Sequence, residues 1–113
     1  MSFWENYILK LKEVETLGAS VFVVGKSVLK RPIFCVKVGS GKKKILVQCA
    51  IHAREHITLH LAFVLIKSLL RKNVNASVYV IPLANPDGVC LATDGLKSVY
   101  NINNDFDFVT GHF

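Results

Sequence analysis

Hydrophobic residues recur at Trp4, Ile8, Leu11 and Val14, the spacing of one helix face. Ser2 and Glu5 bracket the start of this run as a capping box, in which serine and glutamate satisfy unpaired backbone N–H groups. Gly18 is a natural stop. The pattern predicts an amphipathic helix over 3–17. A short β-branched and aromatic run follows at 21–24, then a turn at Gly25-Lys26-Ser27. Pro32 opens an extended stretch at 33–38, and Gly39-Ser40-Gly41 separates it from a second at 45–49. Two such runs around a glycine-containing turn predict an antiparallel hairpin. Residues 58–71 are apolar on more than one face and predict a mostly buried helix, with Arg71 and Lys72 near its end, where positive charge is favoured. The run 77–83, rich in Val, Tyr and Ile, predicts a strand, and Asn85-Pro86-Asp87-Gly88 a turn. Beyond residue 95 the pattern weakens, and 101–108 is polar with scattered aromatics.

Residues 45–83 therefore read as strand, loop, helix, strand. A crossover of that kind places its two strands parallel. The expected class is α/β, with a mixed sheet flanked by helices. Ligands of such sheets bind outside the carboxyl ends of parallel strands. The polar segments 51–58 and 85–88 should both emerge there. With 113 residues the chain is long enough for one small domain and too short for two. No internal repeat or linker stands out.

Half the chain is hydrophobic, which is apolar for so short a chain and points to a face covered by a partner, by self-association or by more of the same core. No apolar run approaches the roughly 20 residues of a membrane span. The N-terminus lacks the charged start and apolar stretch of a signal peptide, so a cytoplasmic location is expected. Cys35, Cys49 and Cys90 form no C-x-x-C pair and read as small apolar residues. The net charge is +6, but Lys42, Lys43 and Lys44 follow a glycine turn without interleaved aromatics. They read as a solvated turn, and no nucleic-acid partner is expected.

The informative peptide is Ile51-His52-Ala53-Arg54-Glu55-His56-Ile57-Thr58. Three-residue spacing brings His52 and Glu55 to one side of a turn or of a helix's first turn. A neutral imidazole and a carboxylate are ordinary zinc ligands, and a catalytic zinc takes three protein ligands. On spacing alone, a surface His and Glu at a helix start is the better reading.

The surrounding residues change the balance. His52-Ala-Arg-Glu55 after an apolar strand, then a buried helix, then a strand running into Pro82-Leu-Ala-Asn-Pro-Asp-Gly88, resembles the zinc carboxypeptidase family. The resemblance runs from about residue 3 to about residue 100. Gly25, Ser27, Arg31 and Pro32 also look like the family's G-x-S-x-x-x-R-P approach to the second strand. It implies that residues 1–113 are the N-terminal part of one peptidase domain with an incomplete zinc carboxypeptidase-like (phosphorylase/hydrolase-like) fold. It implies one zinc ion, with His52 and Glu55 as two ligands, and hydrolysis of a C-terminal peptide bond or of a related cell-wall peptide bond. Arg54 matches a substrate-holding position, although a surface arginine fits equally well. The Asn85–Gly88 turn is expected to shape the rim.

The sequence departs from the family's pattern after that point. The family needs a distant third histidine, but His56 and His60 are too close and His112 is a poor candidate. His60 is expected to pack on or cap the helix. No glutamate follows Glu55 to serve as general base, and no arginine follows Arg71. The chain is thus expected to be a truncated, weakly active or inactive piece, with no catalytic residue identified. Two other readings stay open. His52-Ala-Arg-Glu55-His56 also spells the inverted H-x-x-E-H motif, in which His56 would bind metal. The chain could also be a non-catalytic remnant that binds zinc or peptide.

Overall fold

The computed structural model describes residues 2–93. Helix α1 spans Phe3–Thr16 and begins in the expected capping box: Ser2 Oγ accepts from the Glu5 N–H at 3.2 Å, and the Ser2 N–H donates to Glu5 Oε1 at 3.2 Å. It ends at Gly18, whose φ of 117° closes a paired set of bonds from Gly18 N to Glu15 O and from Ala19 N to Val14 O. The fully buried face is Tyr7, Leu11 and Val14, while Trp4 and Ile8 pack at its margin. Tyr7 is the hub of an aromatic cluster, with ring centroids 5.6 Å from Trp4 and 6.1 Å from both Phe34 and Phe63.

Four strands follow: β1 (Ser20–Lys26), β2 (Pro32–Val38), β3 (Lys44–Gln48) and, after helix α2 (Ile57–Leu70), β4 (Ser77–Ile81). Helix α3 covers Pro86–Thr93. The sheet order is β1-β2-β4-β3, with β1–β2 and β2–β4 antiparallel and β3–β4 parallel. The crossover expectation holds, since β3 and β4 run parallel on either side of α2.

The expected 33–49 hairpin does not form. Strand β4 inserts between β2 and β3, pairing Val38 with Val78 on one side and Ile45 with Val78 on the other. The glycine segment arches over the start of β4. Ser77 N donates to Lys43 O at 2.8 Å, and Ser77 Oγ donates to Gly41 O at 2.9 Å. The approach is so close that a Cβ on Gly41 would lie 2.7 Å from Ala76 N. The glycines serve this crossing. The arch carries Lys42 and Lys43, which are exposed.

Two other local expectations shift. Gly25 and Lys26 belong to β1, which carries a bulge between Val23 and Gly25, and the turn comes later, at residues 27–31. Asn85–Gly88 is the cap and first turn of α3. Asn85 Oδ1 accepts from Gly88 N at 3.0 Å, and Pro86 holds the first helical position, where a missing N–H costs nothing.

One core unites α1 and α2 with one sheet face: Leu59, Ala62, Phe63 and Ile66 of α2 meet Val36, Val38, Val78 and Val80. Strand alternation sends Phe22, Leu46, Tyr79 and Ile81 to the other face, where they line an open apolar groove. Among the described residues no helix is long and apolar enough to cross a membrane.

Candidate metal centre

Strands β3 and β4 end on the same side of the sheet, and the chain leaving each is bonded to the other. Cys49 N donates to Ile81 O at 2.9 Å, Ala84 N to Cys49 O at 2.9 Å, and Asn85 N to Ala50 O at 3.1 Å. Ala50 turns the backbone sharply, with a φ of 53° that a residue bearing a Cβ seldom adopts. Its N–H is satisfied by Thr58 Oγ1 at 2.6 Å. The threonine hydroxyl in turn donates to Glu55 O at 3.1 Å. One hydroxyl thus ties the strand exit to the end of the next turn and to the first residues of α2.

Between these ties lies the turn 52–55, closed by a bond from Glu55 N to His52 O at 3.1 Å. Both ends of this turn emerge at the rim, before α2 begins at Ile57. His52 is half-buried, whereas Arg54 and Glu55 are exposed. Ala53 is the turn's anchor: it is completely buried and packs against Leu91 and Ala92 of α3. A Cβ on Gly88 would come within 2.9 Å of the Ala53 methyl. The α3 surface therefore fits directly under the turn.

The placement of α3 depends on Asp87, which is fully buried. Its Oδ1 accepts from Ser27 Oγ at 2.7 Å and from an Arg31 guanidinium nitrogen at 2.8 Å, and its Oδ2 accepts from Leu29 N at 3.0 Å. Ser27 Oγ also accepts from Arg31 N at 2.9 Å. A buried carboxylate is tolerable only when charge and hydrogen bonds compensate it, and here three donors do so. Ser27 and Arg31 belong to the 25–32 motif, and Asp87 to the 85–88 motif. Sequence reading found both motifs and missed that they touch, because 56 to 60 residues separate the partners.

His56 occupies the cap position of α2 without a side-chain cap bond. It lines a cleft with Phe3, Tyr7, Leu59 and Thr93, to which neither His52 nor Glu55 contributes. His60 is exposed and lines the same cleft; of the two expected roles, it does not cap the helix. Cys35 and Cys90 are buried and Cys49 half-buried; burial pushes the Cys35 and Cys49 thiols up. Among the described residues no cluster of three His, Cys, Asp or Glu side chains gathers to hold a metal. His112 and Lys97 lie outside the described residues.

A mixed sheet with helices packed on it, and a His/Glu turn at the carboxyl ends of its parallel pair, defines an α/β protein with a polar rim where such sheets take their ligands. Comparison with known proteins narrows this. The chain belongs to the zinc carboxypeptidase family, whose model matches residues 5–108. It is 28% identical over 106 residues to a zinc carboxypeptidase of Saccharothrix mutabilis subsp. capreolus, covering 80% of this chain and 21% of that protein. It is 29% identical over 87 residues to gamma-D-glutamyl-L-diamino acid endopeptidase 1 of Lysinibacillus sphaericus, covering 64% of this chain and 22% of that protein. Among solved structures, bovine thrombin-activatable fibrinolysis inhibitor superposes with a TM-score of 0.70 at 24% identity, over 81% of this chain and 33% of that one. Carboxypeptidase A from Helicoverpa armigera gives a TM-score of 0.65 at 25% identity, over 84% and 26%. The chain thus spans about a fifth of the length of these curated relatives.

Proposed function

We propose that the chain forms part of a zinc-dependent metallocarboxypeptidase-type peptidase, with His52 and Glu55 as two protein ligands of one zinc ion and Arg54 as a substrate contact. The observation that carries this reading is the 52–55 turn, which sets an imidazole and an exposed carboxylate at positions i and i+3 on the rim of the parallel β3–β4 pair. The donor set fits zinc, which takes nitrogen and oxygen ligands and leaves a position open in catalytic sites; carboxypeptidase A is itself the general example of a His₂Glu site. When bound, the ion supplies Lewis-acid polarisation of the scissile carbonyl.

The chain's own residues do the rest of what can be assigned. Burial of Ala53 holds the two donors on a fixed turn, so little ordering is left to accompany metal binding. Arg54 projects from the same turn, where a planar cation can hold a substrate carbonyl or carboxylate by paired hydrogen bonds. The substrate class is a peptide with a free C-terminus or a cell-wall peptide; membership of a peptidase family supports a peptide substrate. A third ligand and a general base are not assigned in this chain, and the 113-residue polypeptide by itself is expected to be inactive or nearly so.

Zinc titration of the protein against a chromophoric chelator tests the ligand assignment. His52→Ala and Glu55→Gln should each weaken binding by roughly tenfold or more. His56→Ala should change it little, because His56 faces the α1 cleft. Loss of zinc in His56→Ala with retention in His52→Ala would overturn the reading in favour of a different site.

A further inference from the structure

We infer that Asp87 is the positioning residue of the zinc site, acting through α3 on the turn that carries His52 and Glu55. The inference rests on the ligand assignment above and adds to it.

The 52–55 turn belongs to no strand or helix, so no regular ladder fixes it. Within it, one backbone bond closes the chain, from Glu55 N to His52 O. Thr58 holds its far end through Glu55 O, and its middle is seated by the burial of Ala53 against Gly88, Leu91 and Ala92. The location of that α3 surface is therefore the location of the turn. Helix α3 is short, spanning Pro86–Thr93, and is too small to hold itself in place. Its first turn is fixed at two points: the Asn85 cap on Gly88 N, and the buried Asp87 carboxylate gripped by the 27–31 loop. The loop is rigid in its own right. Ser27 N donates to Arg31 O at 2.8 Å, Lys30 N to Ser27 O at 3.0 Å, and Lys30 sits at a φ of 71°. A continuous path of packed and bonded atoms runs from β1 through residues 27–31 and Asp87 to Gly88, Ala53 and the two donors. Asp87 is the link in that path made of charge, and its geometry sets the depth at which α3 seats.

Metal affinity depends on ligand orientation, and residues that orient ligands alter it about 10–100-fold when replaced. The test is a zinc titration of the full chain for four variants, each paired with its urea unfolding curve. Asp87→Asn keeps the shape and removes the charge. Gly88→Ala places a methyl against Asn85 and Ala53, pressing on the turn directly. Val38→Ala is the control for lost stability, since Val38 is buried at the end of the sheet remote from the rim. His52→Ala reports on the ligand assignment.

The expected result is a weakening of zinc binding by roughly tenfold for Asp87→Asn and Gly88→Ala in the folded protein. Val38→Ala should bind as the parent does, although it unfolds at lower urea. If Asp87→Asn does not fold, a fifth variant, Ser27→Ala, which removes one of the three donors to Asp87, decides in its place. Weakening of roughly tenfold is expected for it, and binding within about twofold of the parent overturns the inference. If His52→Ala loses zinc while a folded Asp87→Asn binds within about twofold of the parent, whatever Gly88→Ala does, against the expected effect of an orienting residue, Asp87 is only structural and the inference is overturned alone. If His52→Ala keeps its zinc, the ligand assignment fails and takes the inference with it.

Discussion

Thr58 and Tyr7 show how single atoms govern the rim and the core. Thr58 Oγ1 accepts from the buried Ala50 N–H and donates to Glu55 O. Replacing it with valine keeps the volume and orphans the Ala50 N–H, while Glu55 O keeps its bond from Thr58 N. The cost of a buried unsatisfied N–H is about 1–3 kcal/mol. Urea denaturation of Thr58→Val should show a loss of that size, and Thr58→Ser should recover most of it. Tyr7 presents the opposite case. Its hydroxyl is buried and, among the described residues, has no hydrogen-bond partner. Burial, with a smaller contribution from nearby Cys35, pushes the phenol far above its usual range. The folded state therefore holds this proton more tightly than the unfolded chain does. Stability from this group is complete below the unfolded value of about 10 and falls as pH rises beyond it. Tyr7→Phe should abolish that alkaline loss and should be neutral or stabilising near neutrality, as followed by thermal unfolding from neutral pH to about pH 11.

At the scale of elements, the sequence made α1, α2 and the parallel β3–β4 pair legible because each rests on local signals: a capping box, a helical period, and a strand-helix-strand order that leaves few topologies. The 39–43 segment was misread for the same reason. Glycines mark a close backbone approach, and nothing local says whether the backbone approached is the next strand or one that arrives much later. Here it is the start of β4, with Ser77 meeting Gly41 across 36 residues of chain. Gly41→Ala should accordingly destabilise by roughly 1–3 kcal/mol through overpacking against Asn75 and Ala76. A hairpin glycine at an exposed turn would show far less, so the urea midpoint of this variant distinguishes the two.

At the scale of the whole molecule, the two sheet faces are unequal. One is sealed by α1 and α2; the other leaves Phe22, Val24 and Leu46 exposed. Part of the chain's excess of hydrophobic residues lies here, and part on the outer side of α2, where Ile57, Leu61 and Val64 are exposed although the sequence predicted a mostly buried helix. The 113-residue polypeptide alone should bind a hydrophobic dye and associate as concentration rises. Leu46→Lys, at a position 58% exposed, should reduce both with little loss of stability, as read by dye fluorescence and sedimentation velocity.

The sequence by itself determined the class of fold, the elements that carry the rim and the identity of the candidate donors, because periodicity, caps and motif letters act over a few residues. It could not decide that β4 would divide β2 from β3, that Asn85–Gly88 would start a helix, or that Asp87 would reach Ser27 and Arg31. Those outcomes follow from which buried polar groups find partners and which apolar faces find cover when distant segments meet. Only the packed tertiary structure brings those segments together.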